Sequence, residues 1–187
     1  ENIMLESVLA LAQAGIEQAV VTRADNQIRI DKFRAAGIRT ETTDFNRIWP
    51  FPTSGAIAKV MREFKPDVAE YWMGRAGQFA PASFRAKSIA WYGGYYKLGR
   101  FTNCEWHVGL TKDLLRHIGE QGVPENRSAI IHTYADFTGD APADRAKLNT
   151  PADAPVALAL ARLHEKKGLD TLLDATAKTP GLYVWIA

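Results

Sequence analysis

Short apolar runs alternate with segments of helical period along almost the whole chain, and this alternation restricts the fold more than any other feature. Residues 2–14 carry Ile3, Leu5, Val8, Leu9 and Ala12 at helical spacing, with Gly15 placed to stop the helix. Residues 17–23 read as a strand. Residues 26–36 read as a helix with Ile28, Phe33 and Ala36 inward, ended by Gly37. Residues 38–42 form a further strand, and residues 46–52 a loop with two prolines and two aromatics. A helix through Ile57, Val60, Met61 and Phe64 follows, capped by Thr53 or Ser54 and broken at Pro66-Asp67. Strands are expected at 68–72, 88–92, 105–110 and 128–132. Between them lie a partly helical segment at 74–86 and a helix from Thr111 to near Gly119–Gly122. Strict alternation of this kind predicts an α/β protein with a doubly wound, Rossmann-like parallel sheet built from right-handed crossovers. Such a sheet would place an opening strand before the helix at residue 2, and that strand is missing.

The segment 140–153 is rich in Ala, Asp and Pro and has no periodicity, so it reads as a linker. The resulting division is a Rossmann-like domain over 1–137, a linker over 138–154 and the opening βαβ piece of a second domain over 155–187. The 187 residues suit one domain and a fraction. The first residues read as the interior of a helix and the last as a strand cut short, as in a piece of a longer protein. The net charge of +2 is too small to argue for nucleic acid, though it is compatible with anionic substrates. Cys104 stands alone, so no intrachain disulfide forms, and a reducing compartment fits. Signal-peptide patterning and an apolar run long enough to span a bilayer are both absent from these residues.

The densest chemistry lies at 155–176. Val156 to Ala161 is an apolar run short enough for a strand buried on both faces. Arg162 follows, then a polar turn to Lys167-Gly168, then a helix with Leu169, Leu172, Leu173 and Thr176 on one side. Two cations thus stand between the C-terminal end of a strand and the N-terminus of a helix, the edge where open α/β sheets bind ligands. Helix N-terminal amides favour anions, and Arg and Lys add charge-assisted hydrogen bonds, so a phosphate or diphosphate suits the place. The plainer reading is a pair of solvated loop cations.

In the first domain, Trp72-Met73-Gly74-Arg75 follows a strand and offers an aromatic platform beside a cation. Its plain reading is a core Trp with an exposed Arg. Gly93, Gly94, Tyr95 and Tyr96 follow another strand, where glycines admit close backbone approach and tyrosines stack on sugars. The alternative there is an ordinary aromatic loop. His107 lies inside a strand, where a satisfied structural histidine is the plain reading. No group has metal-ligand spacing, and no Cys-x-x-Cys, His-Glu-x-x-His, Gly-x-Ser-x-Gly or Gly-x-Gly-x-x-Gly appears.

The run Ala161-Arg-Leu-His-Glu-Lys-Lys-Gly-Leu-Asp-Thr-Leu-Leu-Asp-Ala175 resembles the G-R-L…K-G…L…A signature that opens the donor-binding domain of family 4 glycosyltransferases, with Ala161 in place of the usual Gly. Lys65-Pro-Asp-Val68 resembles the family's K-P-D-V/I, and Thr111-Lys-Asp-Leu-Leu-Arg-His-Ile-Gly its strand-then-Ser/Thr segment. Ile130-Ile-His-Thr-Tyr-Ala-Asp136 resembles I-x-N-G-V-D, with His132-Thr133 replacing Asn-Gly. Glu1 resembles the Glu after the family's Gly-Gly acceptor loop. Trp72-Met-Gly-Arg-Ala76 and Gly93-Gly-Tyr-Tyr-Lys97 resemble a subgroup tied to lipopolysaccharide or other cell-surface glycans. The resemblance implies a GT-B fold and a retaining sugar transfer from a nucleotide-sugar to a glycan or lipid-linked acceptor. It implies no cofactor and no required metal. Arg162, Lys167 and Gly168 would bind the donor, with Arg162 and Lys167 catalytic through its diphosphate. Trp72, Arg75, Gly93, Gly94, Tyr95, Tyr96 and His107 would lie on the acceptor side, with residues 137–153 as a hinge. The usual acceptor-side His is replaced by Tyr92 or Gly93, which moves its role to Tyr95 or His107.

The resemblance also implies further donor-contacting residues after Ala187 and a cytoplasmic place, at the inner face of the cell membrane with peripheral contact to it. Apolar surface left by the missing strand and half-domain would favour self-association. The rival reading is a non-catalytic α/β domain that binds a nucleotide or a partner, or an inactive fragment of the enzyme.

Overall fold

A computed structural model describes residues 2–133 and 141–187. Glu1, residues 134–136 of the closing motif and residues 137–140 of the expected hinge lie outside them. The chain divides into two units, Glu1–Asp136 and Phe137–Ala187.

In the first unit the elements run α1 (Asn2–Gln13), β1 (Ala19–Arg23), α2 (Gln27–Ala35), β2 (Arg39–Thr43), α3 (Phe51–Phe64), β3 (Val68–Trp72), α4 (Met73–Gly77), β4 (Lys87–Tyr92), β5 (Trp106–Gly109), α5 (Lys112–Glu120) and β6 (Ser128–Ile130). Helices α1 and α2 stop as their glycines dictate. Gly15 (φ +81°) and Gly37 (φ +73°) enter the left-handed region, and the next amides, on Ile16 and Ile38, reach back to Leu11 and Phe33. Asn26 caps α2 by accepting from the Arg29 amide.

Two details of the helices differ from the sequence reading. In α2 the buried residues are Ile30 and Phe33, while Ile28 is 74% exposed and Ala36 is also exposed. Ile28 lies two positions before Ile30, about 200° round the helix, so both cannot face the sheet. Helix α3 starts at Phe51, before the expected caps, with Pro50 at its N-cap and Pro52 in its first turn. Proline presets the helical φ. Thr53 is fully buried and its hydroxyl bonds to that of Thr43 (2.9 Å) rather than capping.

Every strand pairing is parallel. Strands β1 and β2 pair with each other, and β3, β4, β5 and β6 pair in that order. Among the described residues β1 and β3 are not joined by hydrogen bonds. Helices cover both faces of β1. Val20 packs with α1 and α2 through Leu5, Val8 and Phe33, while Val21 packs with α3 through Ile57 and Met61. The face bearing Ala90 and Tyr92 packs on Phe101, Ile118 and Val123. Its reverse carries Val68, Glu70, Trp72, Ile89, Trp91 and Trp106, with Val68 49% and Trp106 38% exposed.

The second unit pairs β7 (Val156–Ala159) with β8 (Tyr183–Ile186) and carries α6 (Leu169–Ala177). Strand β7 is not buried on both faces as expected: Leu158 is 58% exposed and Leu160, just past it, 72%. Leu173 of α6 is 54% exposed as well, so a single helix over two strands leaves much of their apolar surface uncovered. Residues 141–154, expected as linker, are tied into this unit. Arg145 donates to the carbonyl of Ala154 (2.7 Å) and lies over the Trp185 ring, and Trp185 Nε1 donates to the buried Thr150 hydroxyl (3.0 Å).

Candidate functional site

The strand–turn–helix of the second unit forms as its residues require. After β7 the chain passes Arg162, makes a tight 3-10 turn over Glu165–Lys167, and enters α6 through Gly168 at φ +63°. His164 supports the turn by accepting from the Lys166 amide at Nδ1 (3.1 Å). Arg162 and Lys167 are both exposed, and neither has an ion pair among the described residues. Both charges are therefore available to a ligand at the start of α6, where helix amides point outward.

In the first unit the sheet's C-terminal edge brings together part of the expected acceptor group. Gly93 packs on Met73: a Cβ at this position would lie 2.2 Å from the Met73 sulfur. The Tyr96 hydroxyl donates to the same sulfur (3.6 Å). Gly74 is similarly close to the Tyr96 ring. The segment at 73–75 and the loop at 93–96 are thus one assembly, and the glycines at 74 and 93 answer to packing within it. Arg75 is exposed and lines a depression with Asp44, Phe45, Asn46, Arg47 and Ile48.

Tyr95 is 65% exposed; its hydroxyl donates to Asp113 and its ring meets His117 edge-on at 5.2 Å. Asp113 also pairs with Arg116, at 2.6 Å. The Tyr95 hydroxyl and Arg116 hold the Asp113 carboxyl below the usual carboxylate range, and the same carboxylate pushes the Tyr95 phenol up. His117 Nε2 and Gln121 Nε2 both donate to the Tyr96 carbonyl (3.0 and 3.1 Å), pinning the loop to α5. His132 Nδ1 donates to the Leu110 carbonyl (3.0 Å). The sequence pattern assigns no functional role to Asp113, His117 or Gln121. The one available signal was their helical spacing directly after a strand, at the N-terminus capped by Thr111.

Two expected members stand apart from this group. Trp72 lies on the reverse face of the sheet, half-buried, stacked on Trp91 and donating from Nε1 to Glu70 (3.2 Å). His107 is 5% exposed, on the opposite face, with Nδ1 3.2 Å from the Tyr92 hydroxyl. Burial lowers the His107 pKa, so it is held neutral. Around it, burial pushes Tyr92 upward and Cys104 up to about 12, which makes the only cysteine a poor nucleophile. His107 is, in this geometry, a core residue. No cluster of three or more His, Cys, Asp or Glu stands ready for a metal among the described residues.

Comparison with known proteins adds to this geometry. No family model matches the chain. The chain is 34% identical, over its full length and 55% of the relative's, to the lipopolysaccharide core biosynthesis glycosyltransferase LpsE of Rhizobium meliloti (strain 1021). It is 32% identical to LpsD of the same organism, covering 54% of that protein. A crystal structure of a glycosyltransferase from Rickettsia africae ESF-5 superposes with a TM-score of 0.79 at 16% identity, over 99% of this chain and 55% of that one. The chain shares that protein's fold. It spans about half the length of the curated relatives it matches. The α/β architecture expected from the alternation of elements is therefore the observed one. No helix among the described residues is long and apolar enough to cross a membrane.

Proposed function

We propose that this chain is the acceptor-side domain and the beginning of the donor-side domain of a retaining glycosyltransferase of family 4 type. The whole protein moves a sugar from a nucleotide-sugar to a glycan or lipid-linked acceptor in lipopolysaccharide or other cell-surface glycan synthesis, in the cytoplasm. The observation that carries the reading is the likeness, along the full chain, to two lipopolysaccharide core glycosyltransferases. The two cations ahead of α6, without an ion pair among the described residues, supply the chemistry. As the glycosidic bond to the donor breaks, negative charge grows on the leaving diphosphate. Arg162 and Lys167 lower the barrier by binding that charge more tightly in the transition state than in the ground state, an effect worth several kcal/mol per well-placed donor. The amides at the start of α6 add to the same field. These cations act where a metal would otherwise neutralise the diphosphate, and no cofactor is needed. On the acceptor side, Arg75, Tyr95 and Tyr96 offer a cation and two aromatic faces for a sugar.

The test is calorimetric titration of UDP, GDP and ADP into the full-length protein and its Arg162→Ala and Lys167→Ala variants. One nucleotide should bind, and each variant should weaken it tenfold or more, about 1.4 kcal/mol. Absence of binding to folded wild type, or variants that bind equally well, rejects the donor site and favours a non-catalytic domain.

A further inference from the structure

Arg100 is half-buried at the end of a 3-10 turn, Leu98–Arg100, that follows the loop after β4. Its guanidinium has no ion pair and no hydrogen-bond acceptor among the described residues. The two other half-buried arginines among them are satisfied. Arg39 lies 3.3 Å from the Glu41 carboxylate, and Arg145 donates to the Ala154 carbonyl (2.7 Å). Taking a guanidinium partly out of water without a counter-charge costs stability, so the partner of Arg100 is to be sought outside this unit.

The residue is also held in place. Its amide donates to the Lys97 carbonyl (3.0 Å), and the next residue, Phe101, is buried in the core. The Leu98 amide donates to Gln121 Oε1 (2.7 Å), and Gln121 Nε2 donates to the Tyr96 carbonyl (3.1 Å), so the residue that ends α5 grips the turn from one side. On the other side Gly74 makes room for the side chain. A Cβ there would lie 2.7 Å from Arg100 Cδ and 3.2 Å from the Tyr96 ring, so the arginine stem and the ring meet over α4 where it has no side chain. Nearby acids do not supply the missing partner. Asp113 is taken by Tyr95 and Arg116. Asp44 is one carboxylate lining a depression with two arginines, Arg47 and Arg75. Lys97 and Arg75 add cations that have no ion pair among the described residues. A planar guanidinium beside an aromatic ring suits a carboxylate or phosphate carried on a sugar, with the fork on the anion and the ring against the sugar face.

We propose that Arg100 binds an anionic substituent, a carboxylate or a phosphate, on the acceptor glycan, with Tyr96 against the sugar that carries it. The inference deepens the acceptor side of the function proposed above and rests on that reading. It is tested by ligand-observed NMR titration of glucose, glucuronate and glucose 6-phosphate into the full-length protein and its Arg100→Gln and Arg100→Lys variants. Wild type should bind one or both anionic sugars roughly tenfold more tightly than glucose, as a hydrogen bond to a charged group allows, and the tighter of the two tells carboxylate from phosphate. Arg100→Gln should remove that preference and leave glucose binding unchanged, while Arg100→Lys should keep part of it. Thermal unfolding of Arg100→Gln should come no earlier than that of wild type, because the change removes a half-buried charge and breaks no bond. Titration with UDP, GDP and ADP separates this site from the donor site, since Arg100→Gln should bind the nucleotide as wild type does. The proposal is overturned if wild type binds none of the sugars or binds them without discrimination, if the preference survives Arg100→Gln, or if that variant loses nucleotide affinity instead. Failure of every nucleotide to bind wild type rejects the donor site alone and leaves the sugar result standing.

Discussion

The indoles of Trp72 and Trp91 stack with ring centroids 4.2 Å apart and planes within 8° of parallel. The two residues are register partners on β3 and β4, so one sheet face sets their contact. The parallel pairing thus assigns Trp72 a structural role on the face opposite His107. Trp91→Ala should destabilise the first unit by about 3–5 kcal/mol, as large buried truncations do. Trp72→Phe should cost much less than Trp72→Ala. Denaturant unfolding measures both. The stack should also give an exciton couplet in far-ultraviolet circular dichroism that either Trp→Phe change removes. A couplet that survives Trp72→Phe would refute the pairing.

Two glycines at the sheet edge respond differently to the same added methyl. A Cβ on Gly77 would lie 2.1 Å from the Phe101 ring and 2.7 Å from the Arg100 carbonyl, and Phe101 is 1% exposed. At Gly93 the obstacle is the tip of Met73, which is 37% exposed and can swing aside. Gly77→Ala should therefore cost about 2–3 kcal/mol and Gly93→Ala about 1 kcal/mol. Adding Met73→Ala should recover most of the Gly93→Ala loss, while leaving Gly77→Ala unimproved. Unfolding free energies of these four variants and of Met73→Ala alone, read as two double-mutant cycles, decide this.

Two titratable groups, buried His107 and exposed Glu70, should leave opposite marks on stability against pH. Burial lowers the His107 pKa below 6.5, so the unfolded chain protonates first as pH falls. The neutral His107 contribution is full above about 6.5 and is lost as pH drops through the folded value. Glu70 keeps solvent-accessible area, yet the protein around its carboxyl raises its pKa above 4.5, opposed by the indole N–H of Trp72 and less by that of Trp91, which reaches no acceptor at hydrogen-bond distance. Its charged form is disfavoured in the fold, so the penalty grows as pH rises from 4.5 through the folded value. Glu70→Gln should then stabilise the chain at neutral pH, with the gain vanishing below about 4.5. His107→Asn should flatten the stability loss below 6.5. Urea midpoints across this range check both signs, and a Glu70→Gln gain that persists in acid would contradict the assignment.

The amino-acid sequence by itself determined the order and type of the elements, because period and punctuation are local. Gly15 and Gly37 end helices wherever the rest of the chain goes, and the spacing from Val156 to Thr176 sets two cations before a helix under any packing. Tertiary structure decided which side of each element meets the core. Both Ile28 and Ile30 suit a helix face, and only contact with Val20 and Leu5 selects the face of Ile30 and Phe33. The pairing of Trp72 with Trp91 and the burial of His107 against Tyr92 depend on register between strands many residues apart. The stretch Asn46–Pro52, whose last two residues open α3, reads as two aromatics and two prolines either way. Its outward set of Ile48, Trp49 and Phe51 arises because Phe45 and Thr53 occupy the core on either side of it, and no local pattern encodes that competition for buried space.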